Sequence, residues 1–186
     1  NETALRTLAA EIKAQGAVAK TLTLSLDSHD AVFRLDEALT NSGLYCDVLI
    51  NSAGFGVFGL VTEANEDLQL ALIDVNIRAV IALITRFLPG MIERRRGGII
   101  NVGSITGSAP GPYMASYCAS KAFIRSFSAA LSQEVSGTGV TVTCLTPGVV
   151  RTAFFDRESM GGKQSRMMKL LPRGEVTMTA ERAWRG

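Results

Sequence analysis

The sequence predicts an α/β fold, and three observations support this prediction. Short apolar runs rich in β-branched residues alternate with longer segments of helical periodicity along the 186 residues. Ala, Val, Ile, Leu and Gly are plentiful while only 6% of the residues are aromatic, which is typical of a sheet covered on both faces. No repeat, low-complexity tract or linker divides the chain. Because strands that alternate with helices imply a doubly wound parallel sheet with right-handed crossovers, we expect a single domain over residues 1–186.

The N-terminal quarter of the chain predicts two helices and two strands. Apolar residues at helical spacing indicate a helix over 2–15, which Gly16 ends. Residues 17–26 alternate in polarity and are rich in β-branched side chains, so we expect a strand that ends at Asp27. The next elements are a helix over 28–43, with Ser28 as its N-cap and Gly43 as its stop, and a short buried strand over 46–51.

The rest of the chain continues the alternation as far as Pro147. We expect a long helix over 65–96 that is interrupted or bent near Pro89, since proline removes a helical hydrogen bond. A strand over 97–104, a helix over 116–137 and a strand over 140–148 follow. We interpret 149–186 as a substrate-lid region over the carboxyl edge of the sheet, with a poorly ordered tail as the alternative. Its apolar members, which could equally pack on the sheet, are Phe154, Phe155, Met160, Met167 and Met168.

Charge and cysteine content exclude several classes of function. A net charge of +2 is too small to indicate nucleic acid or an anionic membrane as the main partner. The basic run at 94–96 precedes two glycines, which favours a helix C-terminus over a nucleic-acid patch. The cysteines, Cys46, Cys118 and Cys144, are odd in number and form no C-x-x-C pair, which argues against disulfides and a zinc site. No apolar run reaches the length of a membrane span, so we expect a soluble cytoplasmic protein.

The stretch "NSAGFGVFGL" contains a G-x-G-x-x-G pattern at Gly54, Gly56 and Gly59. A pyrophosphate-binding turn needs its third glycine at the start of a helix and an acidic residue that ends a second strand. Here the helix begins only near Asn65, and Asp74, at the right offset, lies inside it. We therefore reject this pattern as the pyrophosphate loop and expect it to approach the ribose and adenine side of a dinucleotide.

A second constellation is able to perform chemistry. Tyr117 and Lys121 stand one helical turn apart on one face, so the ammonium is placed to lower the pKa of the phenol. Ser104 ends a buried strand, where its hydroxyl could donate to a carbonyl oxygen or merely start a turn with Thr106. Asn76 is polar within an apolar stretch, so its amide either bonds to neighbouring backbone or holds a water.

As an ordered set, these motifs resemble the single-domain branch of the short-chain dehydrogenase/reductase family. The match runs from residue 1 to about 152, and its members are Asn51-Ser52-Ala53-Gly54, Asn76, Ser104, Tyr117-x-x-x-Lys121 and Pro147-Gly148 followed by Thr152. The resemblance implies a Rossmann-like sheet and an NAD(P)-dependent oxidoreductase that needs no metal.

The resemblance also implies a role for each matching residue. Tyr117 would be the acid/base, Lys121 would lower its pKa and bind the nicotinamide ribose, and Ser104 would polarise the substrate oxygen. Asn76 would hold a water that links Lys121 to solvent. Further cofactor contacts are implied for Asp27 at adenine, for Asn51, Ala53 and Gly54 at the adenosine ribose, and for Pro147, Gly148 and Thr152 at the nicotinamide; Ser52 departs from the family's N-N-A-G.

Some elements of the family pattern have no counterpart in the chain. They are the opening strand, the phosphate turn, the first helix, the second strand and a final strand. Without them the strand over 17–26 would lack a partner, and 46–51 would form an open hydrophobic edge. We therefore expect a longer polypeptide of which 1–186 would not fold alone. The residue that selects NAD or NADP would precede Asn1, and family expectation alone favours NADP.

These observations predict hydride transfer between NAD(P) and a carbonyl or secondary alcohol substrate. A dinucleotide-binding regulatory or scaffold protein is the alternative from another class, although a pure binder needs no Tyr-Lys-Ser set. An isomerase or dehydratase on the same fold is a third. His29 is expected at the surface without a catalytic role. By family analogy we expect a homodimer or homotetramer formed through the helices at 65–96 and 114–136.

Overall fold

A computed structural model of the chain describes residues 2–148, and these fall into two compact units, 2–44 and 45–148. The first unit contains helix α1 (Glu2–Ala14) and helix α2 (Ala31–Asn41), as the sequence predicts. The N-cap of α2 is Asp30, whereas the sequence predicted Ser28. Ser28 instead donates its hydroxyl proton to the Asp30 carboxylate.

The predicted strand over 17–26 is not present in the first unit. Strand residues satisfy their backbone groups by pairing with a neighbouring strand. The three-stranded sheet of the described residues does not include this segment, so its alternating pattern has no pairing partner there.

The second unit is built on three parallel strands in the order β1 (Val48–Asn51), β2 (Gly97–Val102) and β3 (Val140–Leu145). In this register Asn51 lies opposite Asn101. The all-parallel pairing confirms the predicted sheet, and it brings the carboxyl ends of the three strands to one edge.

The long helix between β1 and β2 is irregular at a different place from the one predicted. It consists of α3 (Glu66–Ile73), a π-helical turn (Asp74–Arg78) and α4 (Ala79–Glu93). Helix α4 continues through Pro89, so of the two predictions for this position the interruption is wrong and the bend stays a prediction. The widened turn, in which the Ala79 N–H bonds to the Asp74 carbonyl, contains the buried Asn76 instead.

By length and composition, the helix over Glu66–Glu93 is apolar enough to cross a membrane, which the sequence analysis did not recognise. In the described structure 33% of this apolar window is buried. Leu72, Leu83, Ile84 and Met91 are buried, and α4 packs on β2. The helix therefore forms part of the core of this unit.

Helix α5 (Ala115–Glu134) connects β2 to β3. One of its faces is buried at the spacing of successive helical turns, and the members of that face are Tyr117, Lys121, Ile124, Ser128 and Leu131. Two of them are the predicted functional pair, so the helix buries this pair together with its apolar residues.

The arginines at 94–96 form the turn after α4, as the structural interpretation of this run predicts. The Arg94 guanidinium lies 4.3 Å from the centroid of the Tyr45 ring, and Arg96 pairs with Asp47 just before β1. These contacts fasten the amino end of β1 to the turn.

Strand β1 is an edge of the described sheet and exposes apolar side chains. Val48 is 60% and Ile50 59% exposed, while Leu49 and Asn51, which alternate with them, are buried. The expected open hydrophobic edge is therefore present in the described residues. The expectation that 1–186 does not fold alone stays a prediction.

Candidate functional site

The segments that follow the three strands meet at the carboxyl edge of the sheet. The Gly103 N–H donates to the Leu145 carbonyl at 2.8 Å, and the Ile105 N–H donates to the Pro147 carbonyl at 3.1 Å. These bonds hold the end of β2, where Ser104 lies, beside the segment after β3. Ligands of open α/β sheets bind at such an edge.

Tyr117, Ser104 and Lys121 come together at this edge, as predicted. Tyr117 stands in the first turn of α5 and is only 8% exposed. The Ser104 hydroxyl hydrogen-bonds to the Tyr117 side chain. The Lys121 Nζ lies 5.9 Å from the centroid of the Tyr117 ring. A phenol, an ammonium and an aliphatic hydroxyl therefore share one small volume.

The pKa of Tyr117 shifts in the direction opposite to the one predicted. Burial raises it above its ordinary value of 10.0, and hydrogen bonds from Ser104 and Thr106 oppose this effect. Desolvation disfavours the phenolate more strongly than these neighbours favour it. In this state the Tyr117 side chain is a proton donor at neutral pH.

Lys121 is buried as well, with 7% of its surface exposed, and burial lowers its pKa to about 8. Its Nζ donates to the Val102 carbonyl at 2.7 Å. An ammonium has three N–H donors. Among the described residues this one bond holds Lys121 at the strand end, and further donor capacity is left for a ligand.

The Asn76 amide is bonded to protein on both sides. Its Oδ1 accepts from the Phe55 N–H at 3.1 Å, and its Nδ2 donates to the Phe55 carbonyl and the Ser120 Oγ, each at 3.0 Å. Of the two possibilities that the sequence left open, the structure has the amide on neighbouring backbone. The water-holding role implied by the resemblance stays a prediction.

Gly54 is held close to the same groups. A Cβ at this position would lie 3.0 Å from the Asn76 Oδ1 and 3.7 Å from the Lys121 Nζ. Because Gly54 has no side chain, the backbone after β1 can lie close to Asn76 and Lys121. The premise on which the pyrophosphate loop was rejected is confirmed, because Gly59 does not begin a helix and α3 starts only at Glu66.

The Asn51 side chain is hydrogen-bonded within the protein, and the cofactor contact implied for this residue stays a prediction. Its Nδ2 donates to the Asn101 Oδ1 at 2.8 Å, and the Asn101 Nδ2 donates to the Ser128 Oγ at 2.9 Å. The Asn51 side chain therefore points into the interior between the sheet and α5. Ala53, two residues on, is exposed at the edge.

The remaining predicted residues divide into three groups. Pro147 and Gly148 lie after β3 at the carboxyl edge. Asp27 belongs to the first unit, and its place relative to this site is not described. Thr152 and the predicted lid over 149–186 lie outside the described residues.

Two residues of the site were missed by the sequence analysis. Thr106 donates to the Ser104 Oγ, and Ser120 donates to the Tyr117 backbone carbonyl at 2.7 Å. The position of Ser120, three residues after Tyr117 on one helical face, was a usable signal. Thr106 had been considered only as part of a turn.

Comparison with known proteins agrees with this geometry. The family described as short chain dehydrogenase matches residues 1–161. A short chain dehydrogenase of Pseudocercospora fijiensis is 36% identical over 153 residues, which cover 81% of this chain and 50% of that protein. A nodulation protein G of a Rhizobium species is 33% identical over 180 residues, covering 95% of this chain and 71% of that protein.

Among solved structures, a short-chain dehydrogenase from Sphingobium yanoikuyae in complex with NADPH matches with a TM-score of 0.86. It is 27% identical, and the match covers 98% of this chain and 69% of that one. The chain thus spans half to about seven-tenths of the length of these relatives.

Proposed function

The chain belongs to the short-chain dehydrogenase family, and on that premise we propose that it forms the catalytic centre of an NAD(P)-dependent oxidoreductase. Its substrate pair would be a carbonyl compound and the corresponding secondary alcohol. The observation that supports this proposal most directly is the convergence of Tyr117, Ser104 and Lys121 at the carboxyl edge of the sheet.

The residues at this edge fit a nicotinamide dinucleotide by the chemistry of their donors. Lys121 is fixed by its bond to the Val102 carbonyl and keeps donors for neighbouring hydroxyl groups, such as those of a ribose. Gly54 allows the chain after β1 to lie close to Lys121. When bound, the nicotinamide ring supplies or accepts the hydride.

Each reacting group of the chain has a distinct task. In the reducing direction Ser104 donates a hydrogen bond to the carbonyl oxygen as negative charge grows on it. Tyr117 transfers its proton to that oxygen, so the substrate gains one hydride and one proton in total. The raised pKa of Tyr117 keeps this proton in place at neutral pH. In the oxidising direction the proton returns to the phenolate.

We propose NADP rather than NAD. The similar Sphingobium yanoikuyae dehydrogenase is in complex with NADPH. The described residues 2–148 do not include the strand end at which dinucleotide-binding folds select the ribose substituent. Comparing KM for NADH and NADPH decides the point, and a lower KM for NADH contradicts this part of the proposal.

Replacing Tyr117 by Phe tests the function directly. Loss of a positioned acid/base lowers kcat by about a thousandfold, because Phe keeps the ring and removes the exchangeable proton. The measurement is nicotinamide absorbance over a panel of ketones and secondary alcohols. Tyr45→Phe is the matched control, since Tyr45 stacks with Arg94 before β1.

Unchanged turnover in Tyr117→Phe would exclude the proposed role of the phenol. Dinucleotide binding without turnover in the parent protein, for every substrate of the panel, would favour the regulatory or scaffold alternative.

For assembly we propose a homodimer or homotetramer formed through the α3–α4 helix and α5. Leu70 is 55% exposed and Ile81 37% exposed on the first of these helices. Apolar side chains on a helix surface are stabilised when a second subunit covers them. Light scattering that gives the mass of one chain would contradict this proposal.

A further inference from the structure

We propose that Thr106 is a positioning residue: it fixes the Ser104 hydroxyl as a donor and supplies a second hydrogen bond to the Tyr117 oxygen once its proton has left. This inference rests on the proposed function. It concerns a residue to which neither the sequence motifs nor the family resemblance assigns a role.

The first observation is the environment of the Ser104 Oγ. It accepts from the Thr106 N–H at 3.2 Å and from the Thr106 Oγ1 hydroxyl at 2.9 Å. A serine hydroxyl has two acceptor lone pairs and one proton to donate. Because Thr106 uses both acceptor positions, the Ser104 proton is directed to its other neighbours, the Tyr117 oxygen or a substrate oxygen.

Thr106 is itself held firmly by the turn it belongs to. Ser104 is the N-cap of the short 3-10 helix over Ile105–Ser108, and the Gly107 N–H donates to the Ser104 carbonyl at 3.1 Å. A Cβ on Gly107 would lie 2.6 Å from the Lys121 carbonyl carbon, so this turn is pressed against α5. Thr106 therefore keeps a fixed place between the strand end and the helix.

The second observation is that the Thr106 hydroxyl also reaches the Tyr117 side chain. Hydrogen bonds from Ser104 and Thr106 both lower the pKa of Tyr117, against the effect of burial. Thr106 has a single hydroxyl proton to donate. While Tyr117 is protonated, that proton points to the Ser104 Oγ; when Tyr117 is a phenolate, it turns to the phenolate oxygen. The Thr106 N–H still holds Ser104 after this turn.

Of the described groups around Tyr117, the hydroxyls of Ser104 and Thr106 are the ones that hydrogen-bond to its side chain. Within residues 2–148 the titratable groups near it are Cys118 and Lys121 on α5, with Cys144 of β3 acting on Lys121. Burial raises the pKa of the Cys118 thiol and outweighs the opposing effect of a hydrogen bond with Thr106, so the thiol stays neutral at pH 7. The segment after β1 and helix α3 contribute apolar side chains, among them Val57 and Leu72, to the cluster around Tyr117.

The test compares Thr106→Val, which removes the hydroxyl and nearly keeps the shape, with Thr106→Ser, which keeps the hydroxyl. In the full protein we expect Thr106→Val to lower kcat by about tenfold, with a much smaller change in KM. The pH at which alcohol oxidation becomes fast should move upward, because the phenolate loses one donor. Thr106→Ser should restore both properties.

A readout that does not depend on turnover accompanies the kinetics. The ultraviolet absorbance of tyrosinate, titrated with pH and corrected by the same titration of Tyr117→Phe, reports the pKa of Tyr117 alone. We expect a higher pKa in Thr106→Val than in the parent. If valine prevents folding, Thr106→Ala gives the same comparison with less bulk.

Thr138→Val is the matched control. The Thr138 hydroxyl donates to the Val135 backbone carbonyl at 2.6 Å and accepts from the Val140 N–H, but it lies in the turn before β3. Its loss should change thermal stability and leave the pH profile in place.

The outcomes separate the two proposals. If Tyr117→Phe abolishes turnover while Thr106→Val keeps the parent's kcat, pH profile and tyrosinate titration, only the inference about Thr106 is overturned. A raised pKa that Thr106→Ser fails to lower overturns it too, since the effect would then not come from the hydroxyl. If Tyr117→Phe retains turnover, the proposed function itself fails.

Discussion

Two clusters of buried polar side chains lie in the second unit and differ in how their hydrogen bonds end. The sheet cluster consists of Asn51, Asn101 and Ser128, between β1, β2 and α5. The edge cluster consists of Ser104, Thr106, Tyr117 and Lys121, where β2 ends. Burial does not distinguish them, because Asn51 and Ser104 are 8% and 9% exposed.

In the sheet cluster the hydrogen bonds run from Asn51 to Asn101 and from Asn101 to Ser128, and the last one ends on a backbone carbonyl. The Ser128 Oγ donates to the Ile124 carbonyl at 2.7 Å, and no member titrates in the ordinary pH range. The edge cluster instead contains a phenol and an amine whose pKa values burial shifts in opposite directions, upward for Tyr117 and down to about 8 for Lys121. Burial thus stabilises the fold in one cluster and adjusts acidity in the other.

The largest expected effect on stability is in the sheet cluster. Asn101→Leu removes the acceptor of the Asn51 amide and the donor to Ser128, so the free energy of unfolding should fall by about 3 kcal/mol. The kcat of the folded fraction and its pH profile should stay those of the parent. Denaturant unfolding and kinetics on the same preparation measure both.

A changed pH profile in folded Asn101→Leu would show that the two clusters are coupled. The double variant Asn51→Leu/Asn101→Leu sharpens the comparison, because apolar replacement of both partners removes the unpaired amide and should recover part of the lost stability.

Lys121→Met is expected to stabilise the protein near pH 7 while it removes activity. The fall of the Lys121 pKa from 10.5 to about 8 corresponds to about 3 kcal/mol of unfavourable charge burial. Loss of the hydrogen bond to the Val102 carbonyl costs about 1 kcal/mol, so the free energy of unfolding should rise by about 2 kcal/mol in total. Arg125→Met, one turn further along α5 and exposed, is the control and should have little effect.

The same shift gives the parent a pH-dependent stability. Between about pH 8 and 10.5 the folded Lys121 has lost its proton while the unfolded lysine still holds one, so the unfolded state binds more protons. The buried charge of Lys121 lowers the free energy of unfolding at lower pH. That free energy therefore increases as the pH rises through this window. Unfolding curves of parent and Lys121→Met that keep a constant separation from pH 7 to about pH 10 would contradict the buried charge.

The smallest expected effect on stability comes from adding a single methyl group at Gly54, beside the edge cluster. Gly54→Ala places a Cβ 3.0 Å from the Asn76 Oδ1, so the amide must shift and stability should fall by about 1 kcal/mol. We expect kcat/KM to fall by about tenfold, because a small displacement at a site of this kind is costly.

Gly98→Ala is the matched control, since a Cβ there would meet only Thr141 and Val48 at ordinary contact distances. Equal losses of kcat/KM in the two variants would mean that the space around Gly54 has no special importance for the site.

The sequence by itself determined the features that depend on local periodicity. The spacing of apolar residues predicted α1, α2, α5 and the three parallel strands, and the four-residue spacing put Tyr117 and Lys121 on one helical face. Side chains on one face of a helix or strand recur at a fixed spacing, so the pattern within one segment is sufficient to predict these elements.

Only the tertiary structure decided how distant segments meet. It turned Asn51 toward Asn101, bonded the Asn76 amide to the Phe55 backbone and left residues 17–26 without a strand. It also reversed the predicted direction for the Tyr117 pKa, because desolvation depends on all the groups that surround a side chain rather than on one neighbour a helical turn away.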